Sequence, residues 1–567
     1  MDDDTKNKIR GIAMQNALEH GRTADKIVLS KVLGQMPDLR SRIREIMPEI
    51  SDIVNKINQM SPEQIRTEME AGFASLLEQK PQKQEEHGLP PLSDAEHGKV
   101  ITRFPPEPNG YPHIGHAKAA IIDEEYARMY GGKLILRFDD TNPEAERLEY
   151  YAAIKVGLDW LGVKYDMVKN TSDDMEILYK KGKELLDGNF AYVCTCKQET
   201  ISANRRNMKA CKCSLGQMEQ NMERWEKMFA KYKPGDAIVR FRGNMSSENT
   251  VMRDPVMFRI IDTKHPLLGD RYRVYPSYDF AVAIEDSIDG VTHAFRTKEY
   301  ELRNELYYSI LDALKMRKPR VIEFSRLGFE GMPVSKRVLR PLIEEGKVSG
   351  YDDPRLPTLE ALKRRGIRPE AIRKFVLSLG FTKADTLAPF ETLESFNRKI
   401  VDGESIRLHM VKRPKVIRVS GLPKTITMHN HPTKDMGKRV VELGEGILVE
   451  EEDLEKAKIG DEMRFMGLGN IRITGNNSEA EGQYVGDEMR QEIPKIHWVS
   501  EQAAVRIKIL IPSQLFIGEE FNEGSLEEIN VFTEPYYNEL KEGKEIQFVR
   551  FGYCRKDSQL QAIYTHK

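Results

Sequence analysis

Over residues 8–78, apolar positions recur every three or four residues between charged ones, as in IRGIAMQNALEHG, ADKIVLSKVLGQM, LRSRIREIM and SPEQIRTEMEAGFASLLEQ. That spacing draws one apolar stripe along each segment and predicts a small helical module over 1–80. Ser61 ahead of Glu63 and Gln64 supplies a start for the last helix. The following residues, 81–99, have linker composition. From Val100 the period changes. VITRF reads as a short strand, a loop rich in Pro and Gly follows, 117–130 reads as a helix, and KLILRFDD is the next strand. This β–loop–α–β unit builds parallel sheets. Its first half spans 100–190 and its second half 271–345, where RYRVYPSYDFAVAIEDSIDGVTHAFR and RVIEFSRLGF continue the sheet. An insert with mixed strand signals occupies 191–270. Residues 346–404 return to helical spacing (LEALKRRGIRPEAIRKFVLSLG). Beyond 405 the alternation becomes two-residue, in PKVIRVSGL, NIRITG, AVRIKILI and EIQFVRFGY, and predicts antiparallel barrels or sandwiches to 567.

A chain of 567 residues is too long for one core. Its 40% apolar and 31% charged residues are ordinary for a globular protein. No apolar run approaches a membrane span, and MDDDTKNKIR lacks a basic start and apolar core, so a cytoplasmic location is expected. Net charge is −2, so any polyanion would be met by a local basic face rather than a global field.

The loop RFPPEPNGYPHIGHAK carries the first candidate chemistry. His113 and His116 stand where a strand gives way to a helix, and helix starts bind phosphate through free N–H groups and the dipole. Gly115 permits close approach of a ligand. Downstream, MPVSKR places Ser335, Lys336 and Arg337 in a glycine-containing loop after a strand of the same sheet, within reach of a triphosphate.

Taken with TRFPPEPNGYPHIGHAKAA, LRFDDTNP, YPSYDFAVAIEDSIDGVTH, MPVSKR, LKRRGIRPEAIRKF and IHWVS, the chain resembles class I aminoacyl-tRNA synthetases, in the glutamyl/glutaminyl subgroup of archaeal and eukaryotic form, over about 97–567. The resemblance implies a multidomain α/β protein: a Rossmann-type nucleotide-binding catalytic domain, an N-terminal helical module, a helical stem-contact domain and C-terminal all-β anticodon-binding barrels. It assigns ATP, with Mg2+, to Pro108, Asn109, Gly110, His113, Gly115, His116, Ser335, Lys336 and Arg337, with His113, His116 and Lys336 stabilising the reacting phosphate. Pro333 stands where the second signature has its first lysine. For the amino acid, the resemblance maps Arg103 onto the substrate acid, Asp139 onto the α-amino group, and Glu107 and Tyr278 onto the pocket wall. Arg296 falls at the position that separates the two substrates. A guanidinium offers only donors and pairs bidentately with a carboxylate, whereas an amide would leave a buried charge unpaired at a cost of about 2–5 kcal/mol. Glutamate is therefore expected. A structural salt bridge from Arg296 to Glu299 or Glu301 is the plainer alternative.

Four of the five cysteines form a C-x-C…C-x-C array, Cys194 and Cys196 followed by Cys211 and Cys213. Four thiolates suit a closed structural zinc site, with Lys197, Arg205, Arg206, Lys209 and Lys212 offsetting their charge. Bacterial members of the family are similar in carrying zinc in this insert. Unligated thiols are the other reading, and Cys554 reads as a packed thiol.

The expected activity is ligation of glutamate to tRNA(Glu), with tRNA(Gln) as a second tRNA to test, by a monomer. The rivals are a glutamine–tRNA ligase, which an uncharged residue at 296 would favour, and a catalytically silent tRNA-binding paralogue, which intact His113, His116, Asp139 and Lys336 oppose. The helical module could be a tRNA-binding appendage or a docking site for a protein partner.

Overall fold

The computed structural model describes residues 3–20, 23–36, 43–73, 89–476, 480–490 and 492–567. The first part of the expected linker, 81–88, lies outside them. Two compact units divide at Gly88/Leu89. In the first, helices α1 (Asp3–His20), α2 (Asp25–Gln35), α3 (Ile43–Asn58) and α4 (Pro62–Gly72) surround Ile9, Ile12, Val28, Val32, Ile50, Val54, Ile65 and Met69. The Ser61 start is a full capping box: Ser61 Oγ accepts from the Gln64 N–H, and Gln64 Oε1 accepts from the Ser61 N–H.

The second unit is built on a three-stranded and a two-stranded parallel sheet that meet edge to edge. β1 (Ile101–Phe104), α5 (Ile114–Met129), β2 (Lys133–Phe138), α6 (Leu148–Leu161) and β3 (Met167–Asn170) form the first half, with β2 between β1 and β3. After α7 (Met175–Asp187) comes the insert, a four-stranded antiparallel sheet of β4 (Ala191–Cys194), β5 (Ile238–Phe241), β6 (Val256–Ile260) and β7 (Val274–Pro276). It carries α8 (Gln198–Arg206) and α9 (Met218–Ala230). The main sheet resumes with α10 (Tyr278–Ile288), β8 (His293–Thr297), α11 (Asn304–Ala313) and β9 (Arg320–Phe324), β8 pairing in parallel with β9. The Thr292 N–H donates to Ile101 O at 2.9 Å, which sets β8 beside β1. The order is therefore β3-β2-β1-β8-β9, and the winding direction reverses between β1 and β8. In such sheets ligands bind in the crevice beyond the strand carboxyl ends at that reversal.

β10 (Leu327–Phe329), α12 (Lys336–Glu344), α13 (Leu359–Arg365), α14 (Pro369–Ser378) and α15 (Phe390–Val401) follow. One core unites Ile114, Ala117 and Ile121 of α5 with Ile372, Phe375 and Leu393, so the helical segment covers a face of the main sheet. The C-terminal half holds two seven-stranded, barrel-like sheets. Their strands alternate as the sequence predicts: Ile417 and Val419 are buried while Arg418 and Ser420 are exposed. One sheet uses strands within 414–500, and the other joins 406–411 to 505–566, so the first is inserted within the second.

Candidate active site

The helix after the loop begins at Ile114, three residues before the expected start, because His113 itself is the cap. Its backbone is extended (φ −136°, ψ 179°), and its Nδ1 accepts from the Gly115 N–H at 3.1 Å. The His113 N–H donates to Nδ1 of His116 at 3.2 Å. Both rings thus spend Nδ1 as an acceptor, which puts the proton of a neutral imidazole on Nε2. Burial lowers His113 well below the usual histidine range, with His116, Arg326 and Lys336 adding to it. Burial, then the Lys336 charge, lowers His116 to about 4. Near neutral pH the helix start presents two uncharged N–H donors at the positive end of its dipole. The loop is anchored from the far side, the Ile114 N–H donating to Pro357 O (3.0 Å) and the Leu359 N–H to Pro112 O (2.9 Å).

Lys336, the first residue of α12, reaches back to this loop from far down the chain. Its Nζ donates to Asn109 Oδ1 at 2.5 Å and lies 5.5 Å from the Tyr150 ring centroid. Withdrawal from water lowers its ammonium to about 8, against the pull of Glu107. A Cβ at Gly110 would stand 2.3 Å from Lys336 Cε, so a side chain there would displace the end of the lysine. Pro108 is buried and accepts the Arg147 N–H at 3.2 Å. Ser335 caps α12 through its backbone only, and both it and Arg337 stand exposed.

A second cluster gathers where β1, β2 and β8 end and α10 begins. Arg103 is fully buried, donating from Nε to Asp286 Oδ1 (3.0 Å) and from Nη1 to Phe295 O (2.7 Å). Asp139 Oδ1 accepts from Arg137 Nε (2.9 Å) and Thr171 Oγ1 (3.1 Å). Arg296 lies with Cζ 4.3 Å from the Tyr307 ring centroid and Nη2 4.0 Å from Asp286 Oδ2. Among the described residues, Arg103 Nη2, Asp139 Oδ2, and Arg296 Nε and Nη2 are buried without a hydrogen-bond partner. Glu299 pairs with Arg326 and Glu301 with Lys383, so neither forms the alternative salt bridge to Arg296. Tyr278, whose hydroxyl burial raises to about 12, opens α10 with its ring 5.3 Å from that of Tyr300. Glu107 accepts from Asn142 Nδ2 at 3.4 Å, at the edge of the phosphate loop.

In the insert the sulfurs of Cys194 and Cys211 lie 3.6 Å apart, those of Cys196 and Cys211 3.4 Å, and those of Cys196 and Cys213 3.7 Å. All four lie within 4.8 Å of one another, and none is in a disulfide. Cys554 is buried in the second barrel-like sheet, where burial pushes its thiol up.

A family model described as the catalytic domain of class I (E and Q) tRNA synthetases matches residues 99–402, and two described as their anticodon-binding domains match 405–490 and 495–557. The chain belongs to this class I synthetase family. The glutamate–tRNA ligase of Nitrosopumilus maritimus (strain SCM1) is 62% identical to it, covering 100% of both chains. That of Cenarchaeum symbiosum (strain A) is 58% identical over 99% of this chain and 100% of its own. That of Korarchaeum cryptofilum (strain OPF8) is 38% identical over 100% of each. The synthetase fold expected from the sequence, nucleotide-binding sheet and β-rich tail together, is the one observed.

Sequence reasoning missed four charged or polar residues of these clusters: Arg137, Asp286, Tyr307 and Arg326. Asp286 takes Arg103 and also Arg137 Nη2 (2.8 Å), while Arg137 Nη1 donates to Asp289 (2.9 Å). Burial would raise Asp286, but Arg103, Arg137 and Arg296 outweigh it and hold the carboxyl at about 2. A signal existed. Asp286 follows Tyr278 by eight residues, the same face of a helix, and Arg137 precedes Asp139 by two, the same face of a strand.

Proposed function

We propose that the protein is a glutamate–tRNA ligase, which converts ATP and L-glutamate to glutamyl-adenylate and pyrophosphate and then esterifies the 3′-terminal ribose of tRNA(Glu). The observation that carries this is the buried Arg296, whose Nε and Nη2 lack a hydrogen-bond partner among the described residues and lie beside Asp286. That carboxylate also holds Arg103 and, through Arg137, reaches Asp139; Arg103 Nη2 and Asp139 Oδ2 are likewise unpartnered. Glutamate supplies the complement: a side-chain carboxylate for the arginines and an ammonium for Asp139. Glutamine would turn an NH2 toward a guanidinium and leave its charge unpaired.

With the amino acid so held, its α-carboxylate attacks the α-phosphorus of ATP, and no protein nucleophile is needed. Negative charge grows on the phosphate oxygens as pyrophosphate leaves. The Nε2–H donors of His113 and His116, the N-terminal dipole of α5 and the Lys336 ammonium are preset to stabilise it. Magnesium accompanying ATP supplies further neutralisation. The sulfurs of the insert fit zinc: Zn–S bonds of about 2.3 Å in a tetrahedron set sulfurs about 3.8 Å apart. Cys194, Cys196, Cys211 and Cys213 would hold that ion as a closed, structural site. The β-rich half, matched by the family's anticodon-binding domains, takes the far end of the tRNA.

Charging of tRNA(Glu) and tRNA(Gln) transcripts with labelled glutamate or glutamine tests the reading. Glutamate is expected on tRNA(Glu) and glutamine on neither; esterified glutamine would contradict it. Glutamate on tRNA(Gln) would mark a non-discriminating enzyme.

A further inference from the structure

Asp286 is surrounded by four donors, and the allocation of its two oxygens bears on how the amino acid is read. Oδ1 is taken by Arg103 Nε at 3.0 Å and Arg137 Nη2 at 2.8 Å. Oδ2 accepts the Tyr307 hydroxyl at 3.1 Å. Arg296 Nη2 stands 4.0 Å from the same Oδ2, within charge attraction but beyond hydrogen-bond distance. The Tyr307 ring lies beneath the Arg296 guanidinium at 4.3 Å. One buried side chain therefore does two things: its face supports the guanidinium through a cation–π contact, and its hydroxyl takes one of the two acceptor positions of Oδ2 and ties that oxygen down. Tyr307 is 1% exposed and Asp286 fully buried, so water does not compete for either place.

We propose that Tyr307 is a specificity-determining positioning residue, which keeps Arg296 aimed and free of Asp286 so that its donors are available to the substrate carboxylate. The proposal rests on Arg296 being the glutamate-reading residue. Without the hydroxyl, Oδ2 is left unbonded 4.0 Å from Arg296 Nη2, and a charge-assisted hydrogen bond between the two competes for the guanidinium. Arg296 would then be satisfied by the protein. Without the ring as well, the guanidinium loses its support and direction. Arg103 and Arg137 bond the other oxygen, so the pocket's remaining frame does not depend on Tyr307.

The test is steady-state charging of tRNA(Glu) by the full chain and by Tyr307→Phe, Tyr307→Leu and Arg296→Ala, measuring KM for glutamate, KM for ATP, and the ratio of kcat/KM for glutamate over glutamine. Thermal melting checks each fold. Tyr307→Phe is expected to raise the glutamate KM about tenfold and lower the glutamate preference by a similar factor. Tyr307→Leu should do so about a hundredfold, with the ATP KM within twofold of wild type for both. Tyr307 variants that keep the glutamate KM and the preference, while Arg296→Ala loses them, would overturn the proposal and leave the pocket reading intact. A Tyr307→Phe protein with glutamate and ATP parameters impaired equally would also overturn it, because a merely structural role predicts that. If Arg296→Ala charged glutamate normally, the pocket reading would fall and the proposal with it.

Discussion

If His116 and Lys336 meet the phosphates of ATP as proposed, their protonation should shape the pH dependence of glutamate activation. His116, lowered by burial to about 4, stays an uncharged donor throughout pH 5.5–9. Lys336, lowered to about 8, loses its charge as pH rises through that value. The cation is the form that stabilises phosphate, so kcat/KM for ATP should be flat from about pH 5.5 to 7.5 and fall tenfold per unit above 8. In Lys336→Arg the guanidinium stays charged, and whatever activity remains should lose that alkaline limb. An unchanged limb in the variant would assign the titration to another group. The loop at His113 and its helix were legible at this scale because helix starts and Pro-broken loops carry a backbone signature. Asp286 and Tyr307 were not. EDSIDG and NELYYS read equally well as solvated helix ends, and only the packing of α10 against α11 shows both residues to be buried.

At the scale of elements, the period of the pattern placed the strands and helices of the main sheet, and the Ser61 capping box appears as expected. The start of α5 was misplaced because histidine is not among the usual caps; here its imidazole Nδ1 does what a serine or aspartate oxygen normally does. In the insert the C-x-C spacing announced four converging sulfurs, and β4, which ends at Cys194, brings them together with the turn at Cys211–Leu215. If they hold zinc, purified protein contains one zinc per chain, and Cys211→Ser loses it together with several degrees of thermal stability. Five thiols titrating in unfolded protein with no zinc released would contradict this. The nesting of the barrel-like sheets was beyond the pattern. Two-residue alternation says which side chains face inward but not which strand pairs with which. Ile406–Leu408 finds its partner, Glu545–Phe548, only after the whole of the other sheet has intervened in the chain.

Over the whole molecule, the C-terminal half is tied to the catalytic half by buried polar contacts. Arg364 of α13 grips Asp557 through Nε and Nη2, each at 2.9 Å. The Thr565 hydroxyl donates to Arg365 O at 2.7 Å, and Asn397 Nδ2 lies 3.0 Å from His566 Nε2. Removing 405–567 leaves these groups of α13 and α15 unpaired, at about 1 kcal/mol or more each, so a chain ending at 404 should melt on the order of 5 °C lower. An unchanged melting temperature would mean the halves fold independently. The central claim concerns which amino acid this assembly loads, and it rests on Arg296. The most direct measurement is charging of tRNA(Glu) with labelled glutamate and glutamine by wild type and Arg296→Ala. Wild type should load glutamate alone, and the variant should lose at least a hundredfold in kcat/KM for glutamate, about 3 kcal/mol, while its fold persists. Glutamine loaded by wild type, or glutamate loaded undiminished by the variant, would contradict the account.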